Sequence, residues 1–503
     1  MFSSAQTTVS PPVPNPFLEP LEVHLSTQNL EQRLSNWPLD GLDIKNLDMQ
    51  TRLDLLDRLQ DQMFEPTLTA IDTTSRLFRV IRRGYTSHNP ALVSSRQQMM
   101  ALARCAGREL NNLPWLPSYA KGLRASGITG LGKSYEILRA LSLIPQRIDH
   151  GPSKSADWNH MIQAPWLYVA MSHDGSLGGL LLQILTALDA AIGTNYARAR
   201  DIAGLSNEKL AVHIGIILLN HGVGVLVIDE LQGRNFAGGV RGGLAATFFL
   251  RLLNFGIPLV LMGNPLGMDA LDSFSQDMRR VGSGGNIEMH PMESFDYDFT
   301  DVLAPALWRY NVMPEASPIA DKDGAILFKY CGGIRDYAGR IRASSQRLAL
   351  DEGCSYVTEV HMEQAFNGPD FSAKDRALIA GFRDKNPLLL QQFDDIPWRS
   401  YAVRWGLHPS SQDASTASEA AAPETPPKAS SPPKTRKPVA QQSKETAQRN
   451  RTRKANQKAE NAIKKASLDP EDMRNQGLQE HLISGLEQLQ ANNSQINPSS
   501  SGA

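Results

Sequence analysis

"SGITGLGKSYEI", residues Ser126 to Ile137, places three glycines, a lysine and a serine within the eight positions from Gly127 to Ser134. The spacing Gly127, four residues, Gly132, Lys133, Ser134 fits a phosphate-binding loop, in which glycines let backbone N–H groups turn inward around a nucleotide's phosphates. In that reading Gly127, Gly130 and Gly132 shape the loop, and Lys133 reaches the β and γ phosphates. Ser134 supplies a hydroxyl to Mg²⁺. The helix expected through "YEILRALSL" then aims its positive end at the anion.

A phosphate loop only holds a nucleotide; hydrolysis also needs a carboxylate that orients a metal and a group that positions water. "VLVIDE" supplies two acids at the end of an apolar run. Asp229 is expected to hold a Mg²⁺-bound water and Glu230 to polarise the attacking water. The next apolar run ends in "MGNP", which puts Asn264 where a γ-phosphate sensor would sit, with a turn-forming Asn-Pro as the competing reading. In "QDMRRVGSGGN", Arg279 and Arg280 precede what reads as a flexible loop. An arginine given across a subunit boundary would stabilise charge developing on the transferred phosphoryl group. Arg335 in "GGIRD" is placed to report nucleotide state to the region that follows.

Short apolar runs ("GLRAS", "WLYVAM", "VGVLVID", "IPLVLMG") alternate with helical stretches, the pattern of a parallel sheet covered by helices, with ligands at the carboxyl ends of its strands. Before them, Leu47 to Arg83 has helical periodicity interrupted at Pro66, which predicts two helices, and "SSRQQMMALARCAGRELNNL" predicts another. After Phe299 the chain reads as helical. The expected fold class is therefore α/β, with a helical N-terminal region and a helical lid. The expected organisation is a partly helical N-terminal region at 1–95, the α/β core at 96–300, the lid at 301–375, a core extension at 376–410, a basic linker at 411–469 and an amphipathic helix at 470–491.

Charge is uneven along the 503 residues. From Lys428 to Lys465, twelve Lys and Arg face two acids, a local balance of +10 in a chain of net charge −1, so the remainder carries −11. This stretch is poor in large apolar residues and reads as a disordered basic tail that attracts nucleic acid weakly or serves as a solvated linker. The helix beyond it, "GLQEHLISGLEQLQ", is expected to dock on a partner or on its own protein. Three scattered cysteines fit neither a disulfide framework nor a zinc site. No apolar window approaches membrane-spanning length, and the start lacks a basic-then-apolar signal, so a cytoplasmic protein without a membrane partner is expected.

The order of parts, from phosphate loop through acidic pair, polar strand end and arginines to helical lid, resembles the AAA+ ATPases, and implies a P-loop ATPase using ATP and Mg²⁺ in a homo-oligomeric ring or helical filament. One block narrows the resemblance. "WLYVAMSHDGSLGGLLLQILTALDAAIGTNY" (Trp166 to Tyr196) is similar to the TnsC/TniB family of transposon target-selection regulators, as are "NPFLEPL", "IRRGYTSHNP", "VLVIDELQ" and "RRVGSGG". That resemblance spans roughly residues 14 to 370. It implies assembly on double-stranded DNA, a target-selector partner (TniQ/TnsD-like) bound by the N-terminal region at 1–95, and transposase subunits. Arg234 and Arg241, in the Gly-rich stretch after the acidic pair, are the candidate DNA contacts. Other classes kept open are a helicase-loader or initiator-like remodeller, and a scaffold that binds ATP without turnover.

Overall fold

In the computed structural model, residues 13–109, 118, 120–172, 175–200, 202, 204–232, 240–273, 279–318 and 323–407 are described. All of them fall in the first of two compact units, Met1–Ala414. The basic tail and the helix expected at 470–491 fall outside the described residues, as do His173, Asp174 and Arg234.

Among the described residues there are seven strands: β1 (Gly122–Ser126), β2 (Ile148–His150), β3 (Met161–Gln163), β4 (Trp166–Ala170), β5 (Val225–Leu231), β6 (Leu259–Gly263) and β7 (Gly285–Glu288). Five make a parallel sheet in the order β4-β5-β6-β1-β7, while β2 and β3 pair as a separate antiparallel ribbon. The middle strands β5 and β6 read "VLVIDEL" and "LVLMG", apolar throughout up to the acids Asp229 and Glu230 of β5, as expected of strands covered on both faces.

Alternation along β5 divides the core. Val225 and Val227 point into the cluster that contains the helix after the phosphate loop and the N-terminal helices. Leu226 and Ile228 point the other way, toward the helices Leu177–Ile192, Asn207–Asn220 and Val240–Phe255.

The N-terminal region packs onto the core. Its helices Met49–Gln62 and Leu68–Ser87 flank Pro66, matching the two helices expected there. Arg139, on the helix Lys133–Leu141, donates to the carbonyls of Leu34 (2.7 Å), Arg33 (3.1 Å) and Ser35 (3.0 Å), closing the C-terminal end of the helix Thr27–Leu34. Phe17 stacks on Trp158 with ring centroids 5.5 Å apart, and Asn15 Nδ2 donates to the Tyr85 carbonyl at 2.7 Å. The helix expected in "SSRQQMMALARCAGRELNNL" runs over Val93–Ala103.

Two expectations change. "VGSGGN" is a turn into β7 rather than a flexible loop. Gly284 N–H donates to the Gly122 carbonyl at 2.7 Å and seats the short strand beside β1, a pairing that no local apolar pattern announces. The helix Ala373–Arg383 also runs across the boundary expected at 375–376. Its capping box begins at Ser372, and Tyr337 donates to Asp375 Oδ1 at 2.7 Å, which ties this helix to the lid helix Arg335–Asp351.

Candidate nucleotide site

Because β6 lies between β1 and β5, the carboxyl ends of these three strands bring the phosphate loop, Asn264 and the acidic pair side by side. They line a cavity of about 530 Å³. Gly130, Gly132, Lys133, Ser134, Asp229, Glu230, Asn264 and Arg335 all contribute to its wall, and Leu59 to Glu65 of the N-terminal region and Arg340 and Asp395 beyond it close other sides.

Gly130 and Gly132 have φ of +89° and +90°, the left-handed backbone that lets the loop turn tightly before the helix begins at Lys133. Gly127 does not line the cavity. Its lack of a side chain is required by packing, since a Cβ there would come within 2.8 Å of the Met289 carbonyl oxygen. Lys133 Nζ donates to the Gly127 and Ile128 carbonyls, each at 2.8 Å. Burial draws its pKa below that of an ordinary lysine, opposed by the charges of Asp229 and Glu230.

Asp229 and Glu230 are adjacent, so a regular strand would send their side chains to opposite faces. The structure resolves this with a bulge. Ile228 pairs with Leu261 and Leu231 with Gly263, so β5 has one residue more than β6 over this interval. Glu230 takes φ of +61° and both acids reach the cavity wall. Asp229 is buried, with its Oδ2 receiving the Ser134 hydroxyl (2.5 Å) and the Tyr168 hydroxyl, and its Oδ1 receiving the Glu230 N–H (2.7 Å). Glu230 accepts from Gln232 Nε2 at 2.9 Å.

Asn264 is a helix cap that also stands in the cavity wall. Its Oδ1 accepts the Gly267 N–H (2.7 Å) as the N-cap of the helix Pro265–Asp272, while the residue also lines the cavity. With its oxygen used as the cap, the amide NH₂ is the group it can offer a ligand.

Arg335 opens the lid helix and lies over the loop, where a Cβ added at Gly132 would meet its Cδ at 3.3 Å. Its guanidinium pairs with Glu136 at 3.1 Å, donates to the Glu65 carbonyl at 3.3 Å and sits 5.0 Å from the Phe64 ring centroid. Burial pushes the Glu136 carboxyl up to about 7, with Arg335 opposing. Glu136 and Tyr168 are the members of this constellation that sequence reading passed over. Glu136 stood in the phosphate-loop helix and Tyr168 carried a hydroxyl in an apolar strand run.

Arg279 and Arg280 do not reach this cavity. They are exposed in the turn that leads into β7, near the amino ends of the strands, where Arg280 Nη1 donates to Asn254 Oδ1 at 2.9 Å. Arg241 lies in the first turn of the helix Val240–Phe255.

The loop, the acid pair and the lid residue fit a nucleotide with Mg²⁺. Ser134 donates its proton to Asp229, which leaves a hydroxyl lone pair for a cation, and Asp229 makes no salt bridge among the described residues. A second group of metal-ligand types, Glu352, Cys354 and His361, is a poor metal site. The Thr358 N–H donates to His361 Nδ1, so in the neutral ring the proton sits on Nε2, which faces Glu352 at 3.2 Å.

Residues 119–271 match the family model described as AAA domain. The fold is an AAA+ P-loop fold. No curated protein matches the chain. Similar solved structures include Cdc6p of Pyrobaculum aerophilum, at 15% identity over 65% of this chain and 85% of that one, with a TM-score of 0.32. They also include the ADP form of the Aeropyrum pernix ORC2 protein, at 10% identity over 62% and 83%, with a TM-score of 0.33. The RuvB Holliday junction branch migration motor of Thermotoga maritima is similar at 13% identity over 62% and 80%, with a TM-score of 0.28. The AAA+ assignment here rests on the domain match and on the loop, sheet order and acidic pair. No helix among the described residues is long and apolar enough to cross a membrane.

Proposed function

We propose that this chain is an ATPase that assembles on double-stranded DNA and connects target-site selection to a transposase, with ATP hydrolysis setting how long it stays. The observation that carries the ATPase reading is the convergence of Lys133, Ser134, Asp229, Glu230, Asn264 and Arg335 on one cavity. The transposition reading is supported by the resemblance of the Trp166 to Tyr196 block and its companion segments to the TnsC/TniB family.

In this reading Lys133 and the loop N–H groups hold the β and γ phosphates, and the carboxylate of Glu230 orients the attacking water by accepting its proton. The Asn264 amide donates toward the γ phosphate. Ser134 and Asp229 would hold Mg²⁺, which when bound neutralises phosphate charge. Arg335 exchanges Glu136 for phosphate as the lid closes. Arg279 or Arg280, being far from the cavity of its own chain, serves a neighbouring copy in a ring or filament. Arg234 and Arg241 remain the proposed DNA contacts. The N-terminal region is proposed to meet a TniQ/TnsD-like selector, and the C-terminal tail the transposase.

The test compares wild type, Lys133→Ala and Glu230→Gln on duplex DNA with ATP, with ADP and without nucleotide, reading assembly size and phosphate release. Wild type is expected to form multimers only with ATP, Lys133→Ala none, and Glu230→Gln long-lived multimers without turnover. DNA binding that ignores nucleotide would sink the proposal.

A further inference from the structure

We propose that Tyr168 is a positioning residue for Asp229, and that it tunes the affinity of the site for its divalent cation; this rests on the hydrolytic reading above. Asp229 is 4% exposed, and burying a carboxylate is costly unless hydrogen bonds take up its lone pairs. Here three donors do so, and they come from three different elements. Ser134 comes from the phosphate-loop helix, the Glu230 N–H from the bulge of β5, and Tyr168 from the neighbouring strand β4.

The sheet register explains how the phenol arrives. Ala170 is the direct partner of Asp229, and Tyr168 is the partner of Val227. Tyr168 therefore stands two residues earlier on the same face as Ala170, and its long side chain spans the diagonal to Asp229. A shorter residue at 168 would not reach, and the small Ala170 leaves the space open.

The consequence falls on Ser134. Tyr168 and Ser134 donate to the same oxygen, Oδ2, so the phenol fixes the carboxylate plane against which the serine hydroxyl is aimed. With its proton held there, Ser134 keeps its lone pair toward the cavity. Without the phenol, Asp229 keeps only the Glu230 N–H and Ser134 itself to hold its carboxylate plane, and the serine's acceptor is less firmly fixed.

The experiment uses the full chain, wild type and Tyr168→Phe, which removes one oxygen. Binding of an N-methylanthraniloyl derivative of ATP is measured first in EDTA and then as Mg²⁺ is titrated in. The expected result is equal nucleotide affinity in EDTA and a Mg²⁺ midpoint raised about tenfold, as for other residues that orient a metal ligand. In a Ser134→Ala background the same substitution is expected to shift the midpoint much less, because both groups act through one oxygen. An unmoved or lowered midpoint overturns the role of Tyr168. So does an equal loss of affinity in EDTA together with a lowered melting temperature, which marks a merely structural residue. A wild type whose nucleotide binding ignores Mg²⁺ overturns the hydrolytic reading itself, and the proposal with it.

Discussion

Glu230 occupies left-handed backbone that costs a non-glycine residue about 1 kcal/mol or more. Its neighbours hold it there, since its N–H is bound to the side chain of Asp229 and Leu231 re-enters the sheet against Gly263. The strain lets two consecutive acids serve one cavity. Replacing Glu230 by glycine should therefore stabilise the nucleotide-free protein by about 1 kcal/mol in chemical denaturation, while phosphate release is lost. Glu230→Gln should lose phosphate release as fully and gain no stability. A glycine variant no more stable than wild type would show that the bulge is unstrained. A second residue-scale expectation concerns pH. Burial raises the Asp375 carboxyl, but hydrogen bonds from Ser372 and Tyr337 outweigh it and hold the group below its usual value of 3.8. A depressed carboxylate contributes stability that is complete above its unfolded pKa and is lost as pH falls through the folded one. Asp375→Asn should thus cost about 1 kcal/mol near neutrality. The gap from wild type should close as the pH drops below 3.8, as read from denaturation midpoints across that range.

Among elements, the helix Lys133–Leu141 does two jobs. Its start carries Lys133 and Ser134, the residues proposed to meet phosphate and metal, and its last turn carries Arg139, which closes the helix Thr27–Leu34 through three carbonyls. Hydrogen bonds from a charged donor contribute about 1.5–3 kcal/mol in total when their acceptors are partly buried. Arg139→Ala should destabilise by that order and speed proteolysis in the segment before Met49. Unchanged cleavage there would mean that other contacts hold the N-terminal helix. β7 marks the limit of reading elements from sequence. Its four residues have one buried apolar side chain, Ile287, and its place is set by backbone pairing with β1. By contrast "VLVID" and "IPLVLMG" declare themselves, since central strands must be apolar on both faces.

At the scale of the molecule, the cavity and the two arginines lie at opposite ends of the strands, so under the proposed function a neighbouring copy supplies the arginine of each site. Mixing Lys133→Ala with an Arg279→Ala, Arg280→Ala double variant gives two proteins that are each inactive on opposite grounds. In a closed ring or filament, pockets of one can face arginines of the other, and the mixture should recover about a quarter of wild-type phosphate release. A mixture as inactive as its components would remove these arginines from catalysis.

The residues proposed to hold phosphate were picked out by spacing alone, because a tight anion-binding loop demands glycine at fixed places and a strand-end acid follows from the chemistry proposed for the metal; the structure brings Gly130, Gly132, Lys133, Ser134, Asp229 and Glu230 to one cavity. The fold class followed from alternating apolar runs for the same kind of local reason. Other features were decided only when the chain folded. The bulge that turns Glu230, the Tyr168 hydroxyl on Asp229, the Glu136–Arg335 pair and the strand β7 all join residues that are either far apart in sequence or held in a conformation their own types disfavour. Such contacts depend on sheet register and on what is buried beside what, and neither is written in local periodicity.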